Sequence, residues 1–413
     1  MASREEISFK KAYRLTVKYS TPINNERISI LNLEGRIIAE DLFAKVDSPG
    51  MDSSLKDGYA VISSDVKGAS VKSPRKLKLI GKQVAGEAKK NEVRKGCAIR
   101  VTSGALLPKG AQAVVSEEFS REQNGWVELF ADSEKGRNIL IKGGDVKIGT
   151  KIIEKGDVLT PDRVGLIAAS GIDSGLVFKK LKVAVVATGS EIVIPGSKLK
   201  PGKIFASNLV YISSWLTLLG MNIKAEIVKD DPIAIEKSIR RYLDCVDVII
   251  TSGGAWKSEK DMVIKVLDKI GWRKIYHRVR MGPGKAIGYG QLNSKHIFCL
   301  PGGPLSNNMA FLQLTLPGLW SLSGAKKSLF PVIKAMLTKK VSGQKDWTQF
   351  IHGRLDKDRN ELYVEPITIK HRLQDVANTS CIICIPEGRE QILEGEKVDI
   401  QIINKDDLTE PII

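Results

Sequence analysis

The stretch VDVIITSGG, Val246 to Gly254, is the clearest indication of the fold in the central part of this chain. Its apolar run, Val246–Ile250, stops at Thr251, Ser252 and two glycines. A continuous apolar run predicts a strand that is buried on both faces, as in a parallel sheet. Glycines directly after such a strand leave backbone N–H groups uncovered, and consecutive uncovered N–H groups can bind an anion.

Strands and helices alternate on both sides of this stretch, between residues 179 and 323. Apolar strands are predicted at KVAVVATG, NIKAEIV, VDVIITSGG and HIFCLPGG, which begin at Lys182, Asn222, Val246 and His296. Helices are predicted at NLVYISSWLTLLG, PIAIEKSIRRYLD, KDMVIKVLDKIG and SNNMAFLQLTLPGLW, which begin at Asn208, Pro232, Lys260 and Ser306. This alternation predicts a parallel, doubly wound α/β domain.

Three of the predicted strands end in glycine turns. The turns are Ala187-Thr188-Gly189-Ser190-Glu191, Thr251-Ser252-Gly253-Gly254 and Leu300-Pro301-Gly302-Gly303-Pro304. Ligands of open α/β sheets bind outside the carboxyl ends of the strands, so we predict an anion-binding cleft there. No GxGxxG follows the first strand and no GxxxxGK[ST] occurs, which excludes a dinucleotide fingerprint and a P-loop.

A basic segment, HRVRMGPGKAIGYG, follows the third helix of this region. Pro283-Gly284-Lys285 places a cation on a stiff turn, behind Arg278 and Arg280. A lysine beside such a turn is usually solvated, but beside an anion cleft it becomes a candidate phosphate or oxyanion contact.

Local composition and hydrophobic pattern divide the rest of the chain into further parts. Residues 1–45 and 146–178 form one discontinuous part, in which EEISFKKAYRLTV, RISILNLEGRIIAEDLFA and TPDRVGLIAASG look helical. Residues 46–145 are rich in glycine and turn dipeptides and predict short strands, as do residues 326–413 after the α/β region at 179–325.

Composition limits the possible partners. The net charge is +17, which favours an anionic partner, but the lysines are spread along the chain and no basic run carries aromatics. We therefore favour a solvated lysine-rich surface over a nucleic-acid groove, and expect a soluble cytoplasmic protein without a membrane partner. Of the five cysteines, Cys381 and Cys384 form a CxxC, for which strand packing is favoured over metal or redox use.

These pieces resemble, in order along nearly the whole chain, the molybdopterin molybdenumtransferase (MoeA) family, which shares its fold with the C-terminal domain of gephyrin. The resemblance rests on DGYAV, LPKGAQAVV, GGDVKIG, ATGSEIVIPGSKLKPGKIFASN, TSGG, PGK and CLPGGP. It implies an elongated linker and dimerisation domain at 1–45 and 146–178, a β-rich insertion at 46–145, a molybdopterin-binding α/β domain at 179–325 and a C-terminal β-barrel at 326–413.

The resemblance also implies a reaction. Adenylylated molybdopterin and molybdate bind together, the phosphoanhydride is hydrolysed with Mg²⁺, AMP leaves, and the dithiolene holds molybdenum. The family resemblance further implies a homodimer whose cleft lies between the α/β domain of one chain and the insertion of the other, and an adenylyltransferase that delivers the substrate.

Site roles follow from the resemblance position by position. The acids and other reactive groups would be Asp57, Ser103, Asp145, Glu191, Asp261 and Lys285, with Glu191 and Asp261 as metal ligands. The ligand would contact Thr188, Gly189, Ser252, Gly253, Gly254, Trp256, Pro283, Gly284, Pro301, Gly302 and Ser306.

The chain departs from the family pattern at the same cleft. The family's small loop after TSGG is replaced by Ala255 to Asp261, with Trp256, Lys257 and Lys260 in it. The remaining departures are Gly282 for a basic residue, Ala286 for a proline, Ser103 for a threonine and Gly303 for an asparagine. Three alternatives stay open: an insertase in which a loop lysine replaces the lost cation, a paralogue that handles tungstate or a modified pterin, and a gephyrin-like scaffold. Trp256 would either stack on the ligand or pack against the following helix.

Overall fold

The computed structural model describes residues 6–87, 91–253, 262–358 and 361–404. The chain forms two compact units. The smaller unit consists of Arg27–Lys155 and Leu159–Val177, and the larger unit of Met1–Glu26, Gly156–Val158 and Phe178–Ile413. The four-part division of the chain given above stays a prediction.

A six-stranded sheet forms the centre of the larger unit. Its strands are, in spatial order, Asn222–Val228, Lys182–Thr188, Val248–Ser252, Lys295–Leu300, Gly288–Leu292 and Arg273–His277. The first four strands are parallel and the last two pair antiparallel to their neighbours. The prediction that the four apolar strands form a parallel sheet is confirmed. The structure adds two antiparallel strands at one edge, where GYGQL of the basic segment forms a strand and returns through a short turn to Lys295–Leu300.

Helices cover both faces of this sheet because its strands are apolar on both sides. In Lys182–Thr188, Val183 and Val185 belong to one buried cluster, and Ala184 and Val186 belong to another. The helices of the larger unit are Phe9–Tyr19, Ser207–Leu218, Pro232–Leu243, Met262–Lys269, Pro304–Ala310, Leu316–Leu322 and Arg372–Ala377, with a π-helical turn at Phe311–Thr315. Two short strands, Ile192–Val193 and Ile204–Phe205, pair with each other just before the helix Ser207–Leu218 in the sequence.

A closed five-stranded barrel forms the C-terminal part of the larger unit. Its strands follow one another in the order Thr348–Asp358, Glu361–Pro366, Val332–Leu337, Lys397–Ile402 and Cys381–Ile385, and the last pairs with the first. Side chains alternate between solvent and core in Lys397–Ile402, as expected for a barrel strand. Val279–Gly282 and Ile7–Ser8 extend the sheet at the edge of Thr348–Asp358, and Val341–Ser342 pairs with Gln391–Ile392.

A second six-stranded sheet forms the core of the smaller unit. Its strands are Ala113–Ser116, Gly58–Val61, Cys97–Val101, Arg75–Gln83, Trp126–Leu129 and Ser120–Gln123 in spatial order. Short two-stranded pairs accompany it: Ile139–Leu140 with Ser53–Ser54, Lys151–Ile153 with Leu42–Phe43, and Asn25–Ser29 with Ser174–Phe178.

The helix predicted from TPDRVGLIAASG is confirmed at Pro161–Ala169, where the Thr160 hydroxyl accepts from the Arg163 N–H as an N-cap. The helical interpretation of RISILNLEGRIIAEDLFA was wrong. This stretch holds strand residues, a 3₁₀ turn at Ile30–Asn32 and the strand Leu42–Phe43. Gly35 has φ +69°, which ends any helix there, and isoleucines on either side favour extended backbone.

Within the described residues, the helices are all too short or too polar to cross a membrane.

Candidate functional site

The three predicted glycine turns lie side by side in the larger unit. They follow the adjacent strands Lys182–Thr188, Val248–Ser252 and Lys295–Leu300. Ala187 pairs with Ser252, and Ser252 pairs with Leu300, so the three strands end in the same row of the sheet. The prediction that these turns share one sheet edge is confirmed.

Gly253 lies where the three turns touch. Its N–H donates to the Leu300 carbonyl at 3.1 Å, and its φ is +107°. A Cβ at this position would lie 2.4 Å from the Thr188 carbonyl oxygen, while a Cβ on Gly302 would lie 3.6 Å from the Gly253 Cα. Only glycine fits at residue 253, because both its backbone conformation and its neighbours exclude a side chain.

Two asparagines that were not predicted as site residues hold the turns together by hydrogen bonds. The fully buried Asn307 donates from Nδ2 to the Ser252 hydroxyl at 3.0 Å and to the Pro301 carbonyl at 2.9 Å. Asn208 donates to the Gly302 carbonyl at 2.8 Å and to the Ser252 hydroxyl at 3.4 Å. Both lie within segments quoted above, which contain FASN and SNNM, but the spacing of the two asparagines does not indicate that they share a partner.

Some buried polar atoms at this edge make no hydrogen bond within the chain's described residues. Thr188 Oγ1, Thr251 Oγ1 and Asn307 Oδ1 are buried and have no hydrogen-bond partner in the described part of the chain. Because buried polar groups are nearly always paired in folded proteins, these three atoms are available to a hydrogen-bond partner from outside the chain, such as a water, an ion or a ligand.

Glu191 presents its carboxylate at the first turn. The side chain is exposed, and its Oε1 lies 2.8 Å from where a Gly189 Cβ would stand. Lys203 donates from Nζ to the Ser190 carbonyl at 2.5 Å. This hydrogen bond connects the first turn to the strand pair Ile192–Val193 and Ile204–Phe205 that follows it. Among the residues the structure describes, no group of three or more His, Cys, Asp or Glu side chains could hold a metal ion.

The Pro283-Gly284-Lys285 turn has different neighbours. A Cβ on Gly284 would lie 3.2 Å from the Ala310 backbone nitrogen, so this turn packs against the end of the helix Pro304–Ala310. Lys285 Nζ forms an ion pair with Glu6 at 2.8 Å and lies 4.6 Å from the centre of the Trp347 ring. The contacts of Lys285 within the described chain are thus not with the glycine turns.

Asp57 and Ser103 meet in the smaller unit. Asp57 Oδ1 accepts from the Ser103 N–H at 2.9 Å, and the Ser103 hydroxyl donates to the Leu55 carbonyl at 3.3 Å. The glycine of DGYAV has a packing reason, because a Cβ on Gly58 would lie 2.1 Å from the Val115 carbonyl oxygen. The structure brings these two predicted residues together, and both are exposed.

Asp145 lies on a neighbouring loop whose conformation depends on another acid. The Asp145 N–H donates to the Ser48 carbonyl at 2.9 Å, and its side chain is exposed. Asp47 Oδ1 accepts from the Ile148 N–H at 2.8 Å, and this hydrogen bond, helped by Lys142, lowers the pKa of Asp47. Asp47 was not predicted as part of a site, and it positions the loop that carries Asp145.

The remaining predicted residues have varied placements. Pro301, within the third turn, is buried, and Ser306 is half-buried in the helix that follows this turn. Gly254, Trp256 and Asp261 lie outside the described residues.

The CxxC has the structure expected for strand packing. Cys381 and Cys384 both belong to the barrel strand Cys381–Ile385, where residues three apart point to opposite faces. Burial raises the pKa of the Cys384 thiol to about 11, so the thiolate that metal binding needs is disfavoured.

The fold and this edge define an α/β protein with a row of adjacent glycine turns at the carboxyl ends of parallel strands, joined to a β-barrel and to a separate β-rich unit. Comparison with known proteins identifies its family. Residues 7–171 match the MoeA N-terminal region (domain I and II), 184–320 match a "Probable molybdopterin binding domain", and 334–403 match the MoeA C-terminal region (domain IV).

Individual relatives match nearly the whole chain. A molybdopterin molybdenumtransferase of Haemophilus influenzae is 29% identical and covers 93% of this chain and 95% of its own length. A MoeA protein structure from Pyrococcus horikoshii is 31% identical, with a TM-score of 0.78 over 96% of this chain and 99% of that chain. A second such structure, 26% identical, has a TM-score of 0.81 and covers 97% of this chain and 100% of that chain. The chain belongs to the MoeA family.

Proposed function

We propose that this protein is a molybdopterin molybdenumtransferase, which inserts molybdate into adenylylated molybdopterin during molybdenum cofactor biosynthesis and releases AMP. The observation that carries the proposal is the convergence of three glycine turns on Gly253, where the chain leaves no room for a side chain. Bare backbone at the carboxyl ends of parallel strands suits a phosphorylated ligand. The family membership and the positive net charge of the chain support the same class of ligand.

Each group at the edge has a proposed role. Backbone around Gly253 and Gly302 would approach the phosphates of the pterin nucleotide, and the Thr188 hydroxyl, which is unpaired among the described residues, would contact the ligand. Asn208 and Asn307 would act as positioning residues, because they hold the Ser252 hydroxyl and the last turn in register. Gly189, Gly254, Trp256, Pro301 and Ser306 stay proposed ligand contacts.

The residues present fit Mg²⁺ in the way that phosphate-handling proteins usually hold it. Mg²⁺ binds one or two carboxylates together with substrate phosphates rather than a full protein cage. Glu191 is an exposed carboxylate beside the first turn, with no ion pair to another described residue, and Asp261 is the second proposed ligand. When bound, the ion would neutralise charge on the phosphoanhydride.

Further proposals concern residues away from the edge, and partners. Asp57, Ser103 and Asp145 are proposed to contribute to the reaction from the smaller unit, and Pro283, Gly284 and Lys285 through their turn. We also propose a homodimer and an adenylyltransferase as the source of substrate. We further propose a cytoplasmic location, with which the five cysteines agree because none of them forms a disulfide.

The test is AMP release from adenylylated molybdopterin in the presence of Mg²⁺, with molybdate and tungstate compared at equal concentration. We expect release that depends on the oxyanion and that falls at least tenfold in Glu191→Gln, while Glu394→Gln, a matched change of an exposed glutamate in the barrel, has no effect. Faster release with tungstate would point to the tungstate-handling paralogue. Tight pterin binding without any release would contradict the insertase proposal.

A further inference from the structure

The three cations of the basic segment differ in how they are compensated. Arg280 Nη2 donates to the Glu387 carboxylate at 2.6 Å, and its Nε donates to the Asp346 carbonyl at 3.1 Å. Lys285 is paired with Glu6 at 2.8 Å. Two of the three cations therefore have their charge neutralised by acids of the chain itself.

Arg278 has no such compensation. It is 3% exposed, and its Nε and Nη2 are buried without a hydrogen-bond acceptor in the part of the chain that the structure describes. A guanidinium is charged at every physiological pH, and an uncompensated buried charge costs much of the stability of a fold. The side chain of Arg278 is thus not explained by the packing of the larger unit.

The backbone of Arg278 is held firmly, in an unusual conformation. Its φ is +69°, a region that residues other than glycine rarely adopt. The Arg278 N–H donates to the Ile287 carbonyl at 2.9 Å, and its carbonyl accepts from the Ile7 N–H at 3.4 Å. A strained backbone conformation persists only where the surrounding structure stabilises it, and such conformations cluster at functional sites.

The fold places Arg278 at the same sheet edge as the glycine turns. It directly follows the strand Arg273–His277, which runs in the same direction as Lys295–Leu300 because both pair antiparallel with Gly288–Leu292. His277 pairs with Gly288, Gly288 with Cys299, and Cys299 with Thr251, so these residues form one row of the sheet. Arg278 follows one residue later, as Leu300 follows Cys299, so its backbone lies two strand spacings, or about 10 Å, from the start of the third glycine turn.

The residue before the Pro283-Gly284-Lys285 turn does not add a further cation. The basic residue that the family has before Pro-Gly-Lys is Gly282 in this chain, and a Cβ there would lie 2.6 Å from Gln349 Oε1. A side chain at residue 282 would require the flexible end of Gln349 to move, and in this chain the position carries no charge.

We propose that Arg278 is an anion-binding residue of this site, which takes a tetrahedral oxyanion or a phosphate group at the edge formed by the glycine turns. The inference rests on the proposed function and names one of its binding residues. Since Nε and Nη2 make no hydrogen bond within the described residues, rotation of the side chain toward the edge breaks none at these atoms, and the bound anion supplies the missing acceptors.

The experiment compares the full chain with Arg278→Met and with the matched control Arg280→Met. Thermal unfolding is followed in sodium chloride, and then with inorganic phosphate, molybdate or AMP at equal ionic strength. Without these anions we expect Arg278→Met to melt about 2–4 °C higher than the wild type, because it removes an uncompensated charge. Arg280→Met should melt lower, because it leaves Glu387 unpaired.

Binding gives the second measurement. Calorimetry measures the affinity for the anion that stabilises the wild type most. For Arg278→Met this affinity should fall at least tenfold, and for Arg278→Lys it should lie between those of Arg278→Met and the wild type. The affinity of Arg280→Met should stay within twofold of the wild-type value. Preference for AMP over phosphate and molybdate would assign Arg278 to the nucleotide phosphate, and preference for molybdate would assign it to the oxyanion.

Three results would overturn the inference. They are an Arg278→Met protein that melts lower or fails to fold, an anion affinity unchanged by that substitution, and a wild type that none of the three anions stabilises. If wild-type AMP release is intact while Arg278→Met binds anions normally, the inference fails and the proposed function stands. If the wild type neither binds these anions nor releases AMP, both fail.

Discussion

Substitution of Gly253 by alanine probes the contact that holds the three turns together. The new Cβ would stand 2.4 Å from the Thr188 carbonyl oxygen, whereas real Cβ atoms keep at least 3.0 Å from such atoms. The neighbour is backbone of a core strand, so it cannot move aside as a flexible side chain would. The φ of +107° adds strain of about 1–3 kcal/mol for a residue with a Cβ, and forced packing adds a similar amount.

We therefore expect Gly253→Ala to lower the free energy of unfolding by about 4 kcal/mol. The assay is urea unfolding of the full chain followed by tryptophan fluorescence, with the slope of the transition compared between variants. Gly302→Ala is the matched control, since its Cβ would lie 3.6 Å from the Gly253 Cα, an ordinary contact. This control should stay within about 1 kcal/mol of the wild type. A Gly253→Ala protein as stable as Gly302→Ala would refute the steric reasoning.

Other expectations concern pH, thiols and the insertion turn. Burial lowers the pKa of His352 to about 4, so the folded protein keeps this ring neutral. Stability present above the unfolded value near 6.5 is lost as the pH falls toward 4, by up to about 3 kcal/mol. His352→Gln should flatten that slope in urea titrations at a series of pH values, and an unchanged slope would contradict this. Oxidation of the folded protein should leave Cys381 and Cys384 unlinked by mass spectrometry, because they point to opposite faces of one strand; recovery of a linked peptide would show otherwise. Asp57→Ala should cost the smaller unit about 1 kcal/mol in thermal unfolding, and Asp57→Asn less, because the amide oxygen can still accept from the Ser103 N–H. Equal losses in both variants would count against that hydrogen bond.

The sheet edge was predictable because it depends on local patterns. Apolar strands that end in glycines are visible in VDVIITSGG and HIFCLPGG, and the rule that ligands bind at strand carboxyl ends places them together. The antiparallel edge was not predictable in the same way. GYGQL contains two glycines and little apolar character, so only its pairing with Lys295–Leu300 makes it a strand.

The environments of the charged residues depend on contacts between distant parts of the chain. Lys285 looked like a free cation on a turn, yet its partner Glu6 comes from the N-terminal segment. Arg278 looked like one of several basic residues, and only the structure distinguishes it as the buried one without an acceptor among the described residues. The hydrogen bonds of the two asparagines have the same origin, because Asn208 and Asn307 meet at Ser252 from two different helices.

The most direct test of the account measures two products in one reaction. Adenylylated molybdopterin, molybdate and Mg²⁺ are incubated with the full chain, and the AMP released is compared with the molybdenum retained on the pterin after removal of free molybdate. For an insertase we expect equal amounts of the two products, with both lost when molybdate is left out. AMP released without molybdenum on the pterin would make the protein a hydrolase of the adenylylated pterin and would contradict its assignment as an insertase.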